Sequence, residues 1–189
     1  MEKMKNTLQP GVWVEQYADP LFKFAVSRIN NIETGRDLVQ ETFLSALKNA
    51  GNFRGEISEK NWLFTILRNK IIDYYRSKAL HSFTELKEQL AEGENYFDGN
   101  DWNESAQPKE WGINYSQNIE TKEFYEVFEK CKQKLAELRN AVFSLKYLEN
   151  KNSDDICKEL GISSSNYWVL MHRAKLQLRQ CLERNWFKK

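Results

Sequence analysis

Apolar residues recur at three- and four-residue intervals in one block of this chain after another, and that spacing admits few folds other than a helical one. Leu21, Phe24, Ala25 and Ile29 form the first stripe, in a helix expected over about 13–29. Leu38, Val39, Phe43, Ala46 and Leu47 form the second, in a helix that begins near 31–34 and ends near Gly51. Trp62, Leu63, Ile66, Leu67, Ile71 and Tyr74 form the third. After a break, Phe124, Val127, Phe128, Cys131 and Leu135 resume the pattern, and Val142, Phe143, Leu145 and Leu148 continue it. Eight Gly and three Pro in 189 residues are too few for the many tight turns of a sandwich or barrel. The expected fold is all-α: two small helical domains, residues 1–82 and 121–189, joined by a long acidic linker over 83–120.

Charge supports that division. The whole chain carries only +1, which on its face speaks against a nucleic-acid partner. Residues 81–119, however, hold eight acids and two bases, a local −6, so the remainder carries +7. Basic working parts on either side of an acidic connector are the simplest reading. The connector also carries aromatics without periodicity (Tyr96, Phe97, Trp102, Trp111 and Tyr115), which suggests that part of it docks on something. It reads as weakly structured, with one short helix at 83–90.

Several classes fall away. No apolar run reaches the roughly 18–20 residues that span a bilayer. The opening MEKMKNTLQPG lacks the apolar core of a secretion signal, so a cytoplasmic protein is expected. In that setting Cys131, Cys157 and Cys181 read as reduced thiols, small apolar residues at separations unlike a compact zinc motif. Two isolated histidines, no Gly-rich phosphate loop and no nucleophile–base pair give no basis for catalytic residues, a metal or a cofactor. The chain is not expected to be an enzyme.

The C-terminal third has the arithmetic of a helix-turn-helix: a helix over 154–160 capped by Ser153 or Asp154, a break at Gly161, and a helix from 163–165 to about 184. Gly161 suits the left-handed position that ends a helix, and Ile162 is expected to bury between the two helices. Ser163, Ser164 and Ser165 offer capping hydroxyls and phosphate donors. Residues 168–189 hold six bases against one acid, the charge that groove binding requires. An ordinary helical hairpin with a solvated basic face has the same arithmetic.

In the N-terminal part, Asp37 and Glu41 stand at i and i+4 beside Arg36 and Gln40. Paired carboxylates can serve acid–base chemistry or a metal. With no His or Cys beside them, a solvated or partner-facing surface fits better, and Leu38 and Phe43 make it amphipathic enough to dock on a helical partner. Further on, Arg68, Lys70, Arg76 and Lys78 alternate with Trp62, Phe64, Tyr74 and Tyr75, the mixture that follows a phosphate backbone and stacks on exposed bases. Trp62 and Phe64 are equally candidates for the core.

DLVQETF (residues 37–43), NFRGE (52–56), WLFTILRNKIIDYYR (62–76), ELGIS (159–163) and MHRAKLQLR (171–179) stand in the order and spacing of bacterial RNA polymerase sigma factors. Over roughly 70% of its length, 17–77 and 124–184, the chain resembles the small extracytoplasmic-function (ECF) type of the sigma-70 family. The resemblance implies a region 2 domain, a region 4 domain and no further domain between them. It implies that Asp37, Leu38, Gln40, Glu41 and Phe43 belong to the helix that docks on the clamp helices of the polymerase β′ subunit. Asn52, Phe53, Arg54 and Trp62 would belong to the loop and helix that capture a base flipped from the −10 element and help melt the duplex. Arg68, Asn69, Asp73, Tyr74 and Arg76 would meet the −10 strand and its upstream edge. Ser164, Ser165, Asn166, Trp168, His172, Arg173 and Lys175 would read the −35 element, from a domain that also binds the β flap. The linker would run through the polymerase's active-site cleft and RNA exit path, its acids mimicking nucleic acid. An anti-sigma factor is an expected partner. The chain departs from the family after the turn, where SNYWVLMHRAK places Trp168, Val169 and Leu170 at positions commonly small or polar; Trp168 could pack on sugar or a thymine methyl.

Two functions therefore compete. One is a promoter-specificity factor that binds core polymerase and lacks catalysis of its own. The other is a free-standing helix-turn-helix regulator that binds duplex DNA without polymerase. Only the first has a use for the 37–43 helix and the strand-melting stretch.

Overall fold

Helix starts follow the side chains that precede them. In a computed structural model, which describes residues 7–89, 97–98, 101–102 and 118–186, helix α1 spans Trp13–Val26 and α2 spans Ile32–Asn49. Asn31 is extended, and its side chain accepts from the Thr34 amide at 3.0 Å, satisfying one of the free N–H groups of the first turn of α2. Helix α3, Glu59–Gln89, starts where the Ser58 hydroxyl accepts from the Asn61 amide at 3.2 Å. It runs on without a break through the stretch where a domain end and a separate short helix at 83–90 were expected.

The four later helices are α4 (Asn118–Lys132), α5 (Glu137–Tyr147), α6 (Ser153–Leu160) and α7 (Ser164–Asn185). The cap of α6 is Asn152, which accepts from the Asp155 amide at 2.8 Å, rather than Ser153 or Asp154. Asparagine one position earlier takes the extended backbone that a cap needs and leaves Ser153 to begin the helix. Gly161 closes α6 at φ 66°, ψ 33°, the left-handed conformation expected of it. Ser163 caps α7 by accepting from the Asn166 amide at 3.2 Å. Between α3 and α4 the described residues form a two-residue antiparallel ribbon, Phe97–Asp98 (β1) against Asp101–Trp102 (β2), with Phe97 opposite Trp102. That ribbon was not expected from the sequence. Tyr96, Trp111 and Tyr115 lie outside the described residues.

The N-terminal helices close around Trp13, Leu21, Ala25, Leu38, Val39, Ala46, Leu63 and Leu67, all buried. Gly35 lets α1 and α2 approach closely, since a Cβ there would stand 3.1 Å from Val26 Cγ2. Glu59, in the first turn of α3, ties the chain start to the same core: its carboxylate accepts from the Gln9 amide and Trp13 Nε1, each at 2.5 Å, and from the Tyr17 hydroxyl at 3.3 Å. The C-terminal helices bury Val142, Ile156, Leu160, Tyr167, Leu170 and Met171, with Ile162 between α6 and α7 as its position after the turn predicts.

Two features were not foreseen. Cys131 of α4 and Cys181 of α7 form a disulfide (Cα–Cα 5.7 Å), so only Cys157 is a free thiol. This corrects the reading of three reduced thiols: helix packing brings together residues 50 apart in sequence, beside Leu135, Ala174, Leu178 and Leu182. The second is that the two halves share one core. Ile71, Tyr75 and Ala79 of α3 are buried in the same cluster as Leu138, Ala141 and Leu145 of α5.

Candidate nucleic-acid and partner interfaces

The outer face of α2 is open. Asp37, Gln40 and Glu41 are exposed, and two leucines stand beside them, Leu44 (57% exposed) and Leu47 (51%). Leu38 points inward and is buried, while Phe43 is half-buried and stacks on Trp13 with ring centroids 6.4 Å apart. Glu41 pairs with Lys70 of α3 at 3.0 Å. Exposed acids beside exposed leucines make an amphipathic strip. Leu47 was read as part of the buried stripe and Leu44 was not singled out; their exposure shows only once α2 is set against α1 and α3.

The 52–62 stretch turns at Gly55, whose φ of 71° is open to glycine at little cost. Asn52 and Arg54 are exposed on either side of half-buried Phe53. Phe53 packs on Trp62 at 5.0 Å, and Trp62 meets Trp13 edge-on at 6.2 Å. These two rings therefore form the floor of the bend, and the polar side chains form its rim.

Along α3, Arg68, Asn69, Asp73 and Arg76 lie on the exposed side at helical spacing. Asp73 pairs with Arg76 at 3.2 Å. Tyr74 is half-buried and donates to Glu137 of α5 at 2.7 Å; burial, reinforced by that carboxylate, pushes its phenol well above the usual tyrosine range. Arg68 Nε lies 3.2 Å from Glu149, and Arg76 Nε donates to the Glu159 carbonyl at 3.0 Å. Three of the five residues assigned to the −10 strand thus reach the C-terminal half: Tyr74 and Arg76 meet α5 and α6, and Arg68 meets the turn between them.

On α7, Ser164, Ser165 and Lys175 are exposed, and Asn166, His172 and Arg173 are half-buried. Trp168 is 52% exposed, and its ring lies 5.2 Å from Tyr167 and 6.5 Å from His172. Of the three residues that depart from the family series, Leu170 is core, Val169 is half-buried and Trp168 faces out. Burial, with Lys175 nearby, holds His172 below the usual imidazole range, so the ring favours its neutral form. Lys175 Nζ stands 5.9 Å from the Tyr147 ring. Arg139 of α5 was not foreseen. Burial and then the positive charge of Arg173 depress its pKa, and it donates to Gln177 at 3.0 Å. Nothing in the sequence pairs residue 139 with residue 173.

Among the described residues no group of His, Cys, Asp or Glu could hold a metal ion, and no helix is long and apolar enough to cross a membrane.

Residues 13–80 match the family Sigma-70 region 2, and residues 125–178 match Sigma-70, region 4. A probable RNA polymerase sigma factor of Haemophilus influenzae is 33% identical over 172 residues, covering 90% of this chain and 88% of that protein. The sigma factor YlaC of Bacillus subtilis is 27% identical over 168 residues, 87% of each chain. Among solved structures, the sigma factor RpoE of Bartonella quintana, crystallised with the anti-sigma factor NepR, is 20% identical with a TM-score of 0.43, covering 91% of this chain and 95% of that one. With both regions in order on one chain and a relative 33% identical along most of its length, the chain belongs to the sigma-70 family of RNA polymerase sigma factors, in its extracytoplasmic-function group.

Proposed function

We propose a division of labour by which this sigma factor directs promoter-specific transcription initiation, without catalysis of its own, in the cytoplasm. Three parts share the work: residues 1–82 as region 2, 83–120 as the acidic linker and 121–189 as region 4. Asp37, Gln40 and Glu41 dock on the β′ clamp helices, aided by the exposed Leu44 and Leu47, while Leu38 and Phe43 hold the strip in place from beneath. The rim of the 52–62 bend, Asn52 and Arg54 over Phe53 and Trp62, receives a base extruded from the −10 element. Extrusion costs a few kcal/mol, which a preformed bend and neighbouring cations offset. Arg68, Asn69, Asp73, Tyr74 and Arg76 follow the −10 strand. The linker's acids occupy a basic channel of polymerase until RNA displaces them.

Region 4 reads the −35 element and meets the β flap. Ser164, Ser165 and Asn166, at the capped start of α7, donate to phosphates, and Trp168, His172, Arg173 and Lys175 continue along the same helix. An anti-sigma factor that masks these faces is the expected regulator.

The observation that carries this reading is the turn at Gly161: a left-handed cap followed by the Ser163 cap sets α7 with its first turn open and Trp168 outward. A test is the salt dependence of promoter binding by reconstituted holoenzyme. Arg173→Ala is expected to weaken binding across promoters and lower the salt slope by about 1. An unaltered slope would place Arg173 off the DNA.

A further inference from the structure

The two ends of the Cys131–Cys181 bond differ in access. Cys131 is 1% exposed, whereas Cys181 is half-buried on α7. One turn beyond it, the Asn185 side chain donates to Cys181 Sγ at 3.4 Å and to its carbonyl at 2.7 Å. Around the bond lies a cluster of its own: Leu135, Ala174, Leu178 and Leu182 are buried, and Phe124, Val127 and Phe128 of α4 pack against them. The first half of α7 belongs elsewhere, since Tyr167, Leu170 and Met171 are buried with Val142, Ile156 and Leu160 in the main core. Helix α4 is lightly held. Among its described side chains only Cys131 and Lys132, both in the last turn, are buried. Its earlier turns rest on half-buried rings, with Phe124 edge-on to Trp186 at 5.6 Å.

We propose that Cys131 and Cys181 are a thiol–disulfide exchange site for small thiols and their disulfides, which fastens α4 to α7 when oxidised and releases it when reduced. This rests on the cytoplasmic reading above, because disulfides in a reducing compartment are mostly exchangeable ones. In the reducing direction a thiolate RS⁻ attacks the accessible sulfur, Cys181 Sγ. The bond to Cys131 breaks, and its electron pair leaves on Cys131 Sγ, which takes up a proton. A second RS⁻ attacks the R-side sulfur of the mixed disulfide, forming RSSR and freeing the Cys181 thiolate. Asn185 Nδ2 stands where it donates to that thiolate until it too is protonated. Two RSH become one RSSR and the protein gains two thiols; oxidation by RSSR runs the same steps in reverse.

The two-cluster packing decides what the exchange moves. Without the bond, α4 is held to α7 by the small second cluster alone, so α4 and the end of α7 open as a local unit. Trp168, His172 and Arg173 lie on the half of α7 that the main core anchors, and Arg173 stands about two turns before Cys181, so these turns stay in place. Helix α4 is also where the helical chain resumes after the acidic segment. The pair therefore sets how firmly that point of the chain is fastened to region 4.

The test uses the full-length chain carrying C157S, which removes the third thiol, equilibrated without denaturant in mixtures of reduced and oxidised glutathione. After an acid quench, thiols are labelled with a maleimide in denaturant and counted by mass. Excess reduced glutathione is expected to give two labels and excess glutathione disulfide none, with one reversible curve between them and unchanged helical circular dichroism. Amide hydrogen exchange over 122–132 is expected to be about tenfold faster in the two-thiol state, with 164–173 unaltered. With C131S added, Cys181 takes a glutathione adduct; with C181S added instead, Cys131 takes far less. A bond that stays closed in excess reduced glutathione, or two thiols that stay open in excess disulfide, would overturn the exchange site. Equal hydrogen exchange in the two states would overturn the release of α4, and an adduct at Cys131 as large as that at Cys181 would overturn Cys181 as the point of attack. Recovery of the chain outside the cytoplasmic fraction of its cells would instead overturn the cytoplasmic reading.

Discussion

Gly161 and Gly35 show how differently single glycines act in one fold. At Gly161 the backbone sits at φ 66° with open space where a Cβ would go, so Gly161→Ala costs only the left-handed backbone penalty, about 1–2 kcal/mol. Chemical denaturation should show that loss with helix content unchanged, whereas a neutral substitution would show that the turn does not need glycine. At Gly35 the conformation is helical and the added methyl would press on Val26. Gly161 was legible in the sequence because a helix stop is a local signal. Arg139 beside Arg173 was not, since their meeting depends on α5 lying along α7. The same holds for Glu149, which reads in sequence as one acid in a polar turn and in the structure anchors three cations.

At the scale of elements, most helices follow from apolar spacing, because a stripe that must be buried fixes the period without reference to partners. Three features exceed that information. Helix α3 runs on to Gln89 past the last clean apolar stripe, and Asn152 rather than its neighbours caps α6. The Cys131–Cys181 bond joins α4 to α7 across 50 residues, a distance at which spacing carries no information. That bond fastens α4 over a small second cluster of five buried residues, so its contribution is large relative to the packing it reinforces. A cross-link closing about 50 residues contributes about 4 kcal/mol in the chain-entropy account. C131S/C181S, or reduction of the wild type, should lower the unfolding midpoint of the C-terminal helices. An identical melting curve under reductant would show that helix packing alone holds α4.

For the whole molecule, the opening charge changes meaning. A net +1 hides a −6 segment between parts that together carry +7, and that separation was legible from the sequence. The way the parts close on each other was not. It depends on Asn30, Asn140, Glu137 and Glu149, polar residues whose roles emerge only when α3 lies against α5 and α6. The consequence is a chain in which the open α2 strip and the exposed side of α3 share one packed body with the C-terminal helices. The most direct measurement is a promoter footprint with and without core polymerase. Protection of the −35 and −10 elements is expected only when core polymerase is present, and is lost when Asp37→Ala and Glu41→Ala are combined in a chain that still folds. Tight protection by the protein alone, to which core polymerase adds nothing, would contradict it.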